Sequence, residues 1–362
     1  MKLSRLSMLW PTLAIAAMAL CLSYSVNADE PKSDVSAKAK PAAPVNPRVA
    51  VIARITKSAL QTMAKSNDPV ALVLSAKYVR DADLNPGEER TEAQKNYLQL
   101  AALTRAKKLS THKNSGLVDF QIAMFCIGLP KEPICDGKDT LELFAQREPT
   151  TSVGWVVLAG REFAQGRNSN AQTYLQKAAK AKKSVWFYKE GGAVALKYAK
   201  AVKGVDIKPG DAEAAAFDLM GGMTLPTYKR LSQMCMPDPE SKLPEGRYPV
   251  CRQIAQLLID DSETNLEVLV GYSVLERLAI GEKKDEQAKS ALAQYNTLQT
   301  ANDFLWKTVL KFPPQTDADG SGLVLYFADL ASQGEVSATR LALKRAGKSI
   351  ADFKPSASTP EK

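Results

Sequence analysis

Residues 152–183 read SVGWVVLAGREFAQGRNSNAQTYLQKAAKAKK, and they contain the clearest repeat pattern in the chain. Its apolar and small residues recur at the three- and four-residue spacing of a helix face, with a glycine between two such runs. The members of this pattern are Trp155, Leu158, Ala159, Gly166, Ala171, Leu175 and Ala178. Gly166 ends the first run, as glycine commonly ends a helix. The stretch therefore predicts two helices joined by a short turn.

These seven residues stand in the order and spacing of a tetratricopeptide unit, which the stretch resembles. It departs from that unit at Phe163, which stands one residue later than the expected aromatic, and in lacking the closing proline. The resemblance implies a helical solenoid that binds peptides or partner proteins. A looser echo lies at residues 264–300, where Gly281 is followed by Ala288, Leu292 and Tyr295.

The rest of the chain also follows helical periodicity. Apolar residues recur at helix spacing from Arg48 to Ser66, and Asp68-Pro69 is a typical start for the next helix. No stretch alternates with a period of two for long enough to require a strand. We therefore predict an all-α chain of fourteen to sixteen helices, arranged as a helix-turn-helix repeat array of the tetratricopeptide-like solenoid type.

A wider set of features is similar to uncharacterised exported helical-repeat proteins of Gram-negative bacteria. The set comprises Asp68-Pro69, Cys126 with Cys135-Asp136, Glu148-Pro149 before Trp155, and Cys235 with Cys251. This resemblance implies no particular activity. It leads to the expectation of an exported protein that binds a protein or peptide in the cell envelope.

The N-terminal segment has the composition of a secretory signal peptide. Lys2 and Arg5 precede an apolar block from Leu6 to Leu22, and the small side chains of Val26 and Ala28 follow. Cleavage is expected after Ala28, with the mature protein in the periplasm or secreted. A retained anchor is one alternative, although the block contains Pro11 and is short for a membrane span. A lipoprotein modified at Cys21 is the other, although the preceding Leu20 is large.

The predicted organisation has four parts. Residues 1–28 form the signal peptide, residues 29–47 a flexible linker, residues 48–353 the helical repeat domain, and residues 354–362 a disordered tail. Outside the signal peptide, no stretch is long and apolar enough to span a membrane. The chain that remains after cleavage is therefore expected to contain no integral membrane segment.

Four cysteines remain after loss of the signal peptide, and in an oxidising compartment they predict two disulfides. Cys126 and Cys135 flank one turn-rich segment, and Cys235 and Cys251 flank a longer one. We predict sequential pairing, Cys126 with Cys135 and Cys235 with Cys251, because it would join the two helices of each helix–loop–helix unit. Four cysteines allow three pairings, and metal binding is a further alternative. However, the cysteines lack Cys-x-x-Cys spacing and the chain has a single histidine.

The chain carries a formal net charge of +9, which loss of Lys2 and Arg5 would reduce to +7. Lysines such as Lys177, Lys180 and Lys183 recur at a spacing of three, which aligns them on helix faces. These faces are either solvated outer surfaces or a stripe that meets an anionic envelope polymer. Export argues against nucleic acid as a partner.

Catalytic and metal-binding patterns are weak. His112 lies in a polar turn without a Gly-x-Ser-x-Gly motif, so it reads as an exposed loop histidine. Residues 317–322, DADGSG, resemble the start of a calcium loop, but Ala328 stands where that loop needs its glutamate. Asp260-Asp261 looks like helix-capping chemistry. We therefore predict no catalytic residues, no metal site and no cofactor, although an enzyme such as a cell-wall hydrolase remains an alternative.

The binding site is expected on the concave side of the repeat. The tetratricopeptide pattern points Val156, Gly160 and Phe163 towards that side, where they would form an apolar floor for a peptide. Coverage of this floor by the next helix pair is equally consistent with the pattern. A structural accessory subunit of an envelope complex, with no groove ligand, is the competing function. The aromatic groups at 186–188 and 304–306 are open to the same two interpretations, core packing or a groove.

Overall fold

Helices account for nearly all of the regular structure in the computed structural model. The structure describes residues 46–81, 90–111, 115–128, 132–135, 140–224, 228–235, 246–312 and 319–354, with positions 226 and 243. The helices in these ranges are α1 (Pro47–Lys65), α2 (Pro69–Asp81), α3 (Glu92–Leu109), α4 (Ser115–Gly128), α5 (Thr140–Arg147), α6 (Ser152–Ala164), α7 (Asn168–Ala179), α8 (Tyr188–Lys200), α9 (Asp211–Met220), α10 (Lys229–Cys235), α11 (Arg247–Asp260), α12 (Asn265–Gly281), α13 (Asp285–Phe304), α14 (Ser321–Gln333) and α15 (Glu335–Arg345).

The prediction of an all-α chain is confirmed. Across the described ranges there are fifteen α-helices and no strand, only two isolated bridges that join Thr151 to Lys183 and Ser184 to Ser262. Short 3₁₀ helices lie at Pro133–Cys135 and Ile350–Phe353, and a π-helical turn, Leu305–Val309, extends α13. The predicted signal peptide and linker, up to position 45, lie outside the described residues.

Helix starts are fixed by capping side chains that the sequence displays. Asp68 Oδ1 accepts hydrogen bonds from the backbone N–H groups of Val70 and Ala71, so the Asp68-Pro69 prediction is confirmed. Thr91 begins α3 with a reciprocal capping box to Gln94. Thr264 does the same for α12 with Glu267. Each box satisfies amide groups that the first helical turn leaves without partners.

Sequential helices pack as hairpins, and other helices meet across long separations in the chain. Such pairs include α2 with α3, α6 with α7, α11 with α12, α12 with α13, and α14 with α15. The long-range packings include α1 on α9 and α8 on α14. A linear solenoid has contacts between neighbouring repeats only. The solenoid part of the prediction therefore stays a prediction, because the observed contacts include both kinds.

A buried ion pair joins the first and ninth helices. Arg48 Nε donates to Asp211 Oδ1 at 2.6 Å, and both side chains are almost fully buried. Arg48 also donates to the carbonyl oxygen of Pro209, and Asp211 Oδ2 accepts from the backbone N–H of Lys208 at 2.9 Å. Buried charges require such partners because leaving one unpaired costs several kcal/mol. The pair thereby fixes the position of α1 on α9.

Both predicted disulfides are present. Cys126 of α4 is bonded to Cys135 of the following 3₁₀ helix, with their Cα atoms 5.6 Å apart. Cys235 at the end of α10 is bonded to Cys251 of α11, with their Cα atoms 5.5 Å apart. The pairing is sequential, which excludes the other two connectivities. Disulfides persist in oxidising compartments, so this pairing indicates an environment outside the cytoplasm.

Among the described residues, no helix is both long enough and apolar enough to cross a membrane.

Candidate functional site

Trp155 is the centre of the predicted repeat unit. Its ring is 5% exposed and stacks on the ring of Tyr174 from α7, with the centroids 5.9 Å apart. The ammonium group of Lys177 lies 4.6 Å from the Trp155 ring centroid, a cation–π distance. The Tyr174 hydroxyl donates to Glu142 Oε1 at 3.3 Å and so links α7 to α5. These contacts fix α6 and α7 as one antiparallel pair.

The other residues of the repeat pattern lie where the pattern places them. Leu158, Ala159, Ala171, Leu175 and Ala178 are fully buried at the α6–α7 interface and its surroundings. Gly166 is exposed in the turn and has a φ of +74°, a conformation that a side chain would strain.

The turn between α6 and α7 is held by a buried carboxylate. Glu162 Oε1 accepts from Arg167 Nη2 at 2.8 Å, and Glu162 Oε2 accepts from Asn170 Nδ2 at 3.2 Å. Arg161 donates to the same carboxylate. The hydrogen bond from Arg167, and the further bonds from Asn170 and Arg161, lower the pKa of Glu162 to about 2. The turn is therefore fixed by charge-assisted bonds and offers no group for acid–base chemistry at neutral pH.

The groove predicted at Val156, Gly160 and Phe163 is not open, which corrects the sequence-based hypothesis. Val156 is 2% exposed and α10 packs across α6. A side-chain carbon at Gly160 would lie 2.8 Å from Cβ of Arg230 on α10, so the helices touch there. Phe163 is partly buried against the core. The apolar floor is thus an internal helix contact, the alternative that the sequence pattern left open.

The outer face of α3 presents the exposed apolar surface that the groove lacks. Tyr97 is 69% exposed, the largest value among the exposed large hydrophobic side chains of the described residues. Ala93 and Ala101 are also exposed and lie one turn to either side of it. Within the described residues, the lining of a recess of about 500 Å³ consists of Arg90, Ala93, Gln94, Tyr97 and Leu98.

The opposite face of α3 explains why Tyr97 points outward. Leu100, Leu103 and Ala106 are buried and pack α3 on α2 and α4. Tyr97 lies about 120° around the helix from Leu103, the middle residue of this buried face, because successive residues advance by about 100°. We call the surface formed by Ala93, Gln94, Tyr97, Leu98 and Ala101 the α3 face.

A second notable region is a junction of three connecting segments that we call the glutamate junction, formed by Glu190, Glu263, Glu267 and Glu335. Glu263 Oε2 accepts from the backbone N–H groups of Trp186 and Tyr188 at 3.1 and 3.0 Å. Both amides point at one oxygen because Phe187 between them has a left-handed φ of 68°. Two such amides form an anion-binding nest.

Two further glutamates of the junction, Glu267 and Glu335, cap neighbouring helix starts. Glu267 is fully buried and accepts at 2.6 Å from both the Ser184 and the Tyr228 hydroxyls. Glu335 Oε2 accepts from the backbone N–H of Asn265 at 3.2 Å. The carbonyl oxygen of Glu263 in turn accepts from the backbone N–H of Glu335 at 2.9 Å. The starts of α8, α12 and α15 therefore meet through carboxylates, which the positive ends of helices favour.

Burial dominates the electrostatics of the junction. Desolvation, followed by the negative charge of Glu190, raises the pKa of Glu263 to about 7, although the two nest amides act in the opposite direction. Burial likewise raises the pKa of Glu335 to about 7 and raises that of Glu267. Glu263 is only 8% exposed and Glu267 is not exposed, so these carboxyls do not face the recess of the α3 face.

The other motifs of the sequence analysis are the histidine, the calcium-like stretch and the two aromatic groups. His112 and positions 317 and 318 of the calcium-like stretch lie outside the described residues. Asp319 Oδ1 accepts from the backbone N–H of Ser321, which begins α14, so the described part of that stretch caps a helix. Trp186 is almost fully buried, and Trp306 packs against Phe217. Core packing is therefore the role of these two aromatic residues.

Sequence reasoning missed both the α3 face and the glutamate junction. The α3 signal was visible only as an amphipathic block, because exposure depends on which neighbours cover a helix. At the junction, Thr264 and Glu267 have the spacing of a capping box, so this feature could have been predicted from the sequence. Its meeting with Ser184 and Tyr228 could not, since these residues are 83 and 39 positions away from Glu267.

Comparisons of the chain with protein-family models, with curated proteins and with solved structures give no match. The tetratricopeptide resemblance of residues 152–183 therefore stays a prediction.

Proposed function

We propose that this chain is an exported helical protein that binds a protein or peptide of the cell envelope through the α3 face. The observation that carries the proposal is the exposure of Tyr97 beside an apolar recess on a helix whose other face is buried. Tyrosine is favoured in binding surfaces because its ring supplies apolar area and its hydroxyl supplies a hydrogen bond. We propose no catalytic activity.

The chemistry around the α3 face indicates the partner. The C-terminal part of α3 carries Arg105, Lys107 and Lys108, and Asp119 pairs with Lys107. Arg105 donates to Asn67 Oδ1 at 2.9 Å and to backbone carbonyl oxygens, which leaves its charge uncompensated by these contacts. A segment that combines apolar and acidic side chains would suit this surface. An amphipathic helix laid along α3 is the binding mode that such anchors favour.

Two observations support export. The disulfides indicate an oxidising environment. The sequence from Met1 to Ala28 has the pattern of a signal peptide, and the periplasm is the compartment that we propose.

Binding is better supported than catalysis by the placement of the titratable groups. The three glutamates with raised pKa cap helix starts inside the glutamate junction, where each accepts hydrogen bonds from backbone amides or hydroxyls. A general acid or base must reach its substrate directly or through one water. The recess of the α3 face presents Arg90, Gln94 and Tyr97 instead, which can orient a ligand.

The proposal is tested by comparing capture from envelope extract by the tagged mature protein and by its Tyr97→Ser variant. We expect the variant to lose a captured partner and to keep its melting temperature, because Tyr97 makes little contact with the core. Capture should also weaken as salt increases if acidic side chains contribute.

Leu325→Ser is the matched control. Leu325 is 47% exposed on α14, so its replacement removes a comparable exposed apolar side chain from a different helix. The control should capture the partner as the wild type does. Two results would contradict the proposal. One is equal capture by the Tyr97 variant and the wild type, and the other is a lowered melting temperature of the variant that accompanies its loss of capture. A partner that remains bound to both variants would favour the structural accessory role.

A further inference from the structure

Two arginines are buried among the described residues, and only one of them meets a carboxylate there. Arg48 and Arg247 are 5% and 6% exposed. Arg48 pairs with Asp211. Arg247 instead donates from Nε to the neutral side-chain oxygen of Gln172 on α7, at 2.9 Å. A neutral amide does not compensate a buried charge, so Arg247 lacks the kind of partner that buried cations normally have.

The two terminal nitrogens of Arg247 remain available to a ligand. Within the described part of the chain, neither Nη group takes part in a hydrogen bond or an ion pair. Neither belongs to the fully enclosed polar atoms that have no partner, so both are in contact with solvent. Burial lowers the pKa of Arg247, the direction expected of a cation with no carboxylate beside it. Because arginine stays protonated in proteins, the guanidinium is a charged group that is largely enclosed and open at its tip.

The start of α11 adds further donors beside this guanidinium. Arg247 is the first residue of the 14-residue helix, and helical side chains lean towards the N-terminus, so the guanidinium is directed towards the helix start. The N-cap is Gly246, and no side chain caps the first amides. The first turn also contains no acidic residue, whereas Glu267 caps the next helix, α12. The positive end of α11 and the charge of Arg247 therefore act at one place, which favours an anion.

We propose that Arg247 and the uncapped start of α11 bind an oxyanion, a phosphate or a carboxylate group of a small molecule. The planar guanidinium offers paired N–H donors to two oxygens, and the backbone N–H of Tyr248 offers a further donor. The hydrogen bond to Gln172 holds the guanidinium plane, and the disulfide of Cys251, one turn further along α11, holds the helix. A site held in this way loses little conformational freedom when it binds. It does not depend on the α3 face, and residues 236–242 and 244–245 contribute nothing to it.

The test is calorimetric titration of the mature protein with inorganic phosphate, and separately with acetate, at constant ionic strength. We expect saturable binding of one ion per chain for at least one of the two anions. Binding of phosphate alone would identify a phosphate group as the ligand, and binding of acetate would identify a carboxylate as a ligand. Arg247→Met keeps the buried apolar stem and removes the charge. It should weaken binding about tenfold or more, because charge-assisted hydrogen bonds are lost.

Arg54→Met is the control, because Arg54 is exposed on α1 and its replacement removes one positive charge from a different helix. This variant should bind as the wild type does. If Arg247→Met does not fold, Arg247→Lys replaces it, since lysine keeps a charge but not the paired donors and should also bind more weakly. Three results would overturn the proposal: no saturable binding of either anion by the wild type, wild-type affinity in the folded Arg247 variant, or equal weakening by the Arg54 control.

Discussion

Trp155 shows how one residue can determine a local fold. Its ring stacks on the ring of Tyr174, and the Lys177 ammonium lies 4.6 Å from its centroid. The sequence predicts this environment because Trp155, Leu158 and Leu175 recur at helical spacing around a single turn. Leu292 of the looser echo is equivalent in pattern but 40% exposed, whereas Leu175 is fully buried. Pattern alone could not distinguish them, because exposure depends on which other helices pack over each residue.

Replacement of Trp155 by alanine should therefore destabilise the protein by about 3–5 kcal/mol, since it creates a large cavity and removes the stack on Tyr174. Urea unfolding monitored by circular dichroism measures this. Tyr97→Ala provides the control, because an exposed aromatic residue should change stability by less than about 0.5 kcal/mol. Equal effects of the two substitutions would remove the support for the repeat unit.

Among the elements, α10 shows why the hypothesis of an open groove was wrong although the helices around it were predicted correctly. The α6–α7 hairpin is encoded within 152–183, so local periodicity was sufficient. Coverage of Val156 and Gly160 comes from Arg230 and its neighbours, about seventy positions later in the chain. Only a tertiary contact could reveal it. The disulfide between Cys235 and Cys251 then holds α10 beside α11, so the covering helix is covalently attached to the next element.

Loss of that disulfide should weaken the cover over α6. Cys235→Ser with Cys251→Ser should cost roughly 3 kcal/mol, because the bond closes a loop with a sequence separation of 16. Unfolding of the wild type and the double variant, each with and without reductant, measures this. Non-reducing peptide mapping should also show 126 joined to 135 and 235 joined to 251. Free thiols or crossed pairing in protein isolated from the envelope would contradict this account.

For the whole molecule, the sequence predicts the fold class but not how the helices are arranged. All-α structure follows from periodicity and caps, and the pairing of cysteines follows from their position at the ends of helical blocks. The packing of α1 on α9 depends on Arg48 meeting Asp211, two charges 163 positions apart that nothing local connects. The glutamate junction is unpredictable for the same reason. Its three connecting segments are distant in sequence and meet only in the folded chain.

Removal of the predicted signal peptide also concerns the whole chain. N-terminal sequencing of protein recovered from the periplasm should begin at Asp29, because Val26 and Ala28 supply the small side chains of a cleavage site. Recovery of Met1, or of a lipid-modified Cys21, would show that the segment is a retained anchor or a lipoprotein signal instead.

The most direct test of the binding function is site-specific photo-crosslinking in intact cells. A photoreactive amino acid is placed at position 97, and in a second protein at position 325, which is also exposed, as the control. Our account predicts one defined crosslinked partner at position 97, absent at position 325, with the crosslinked segment rich in apolar and acidic side chains. Crosslinking at position 325 and none at position 97, or no difference between the two positions, would contradict the α3 face as the binding site.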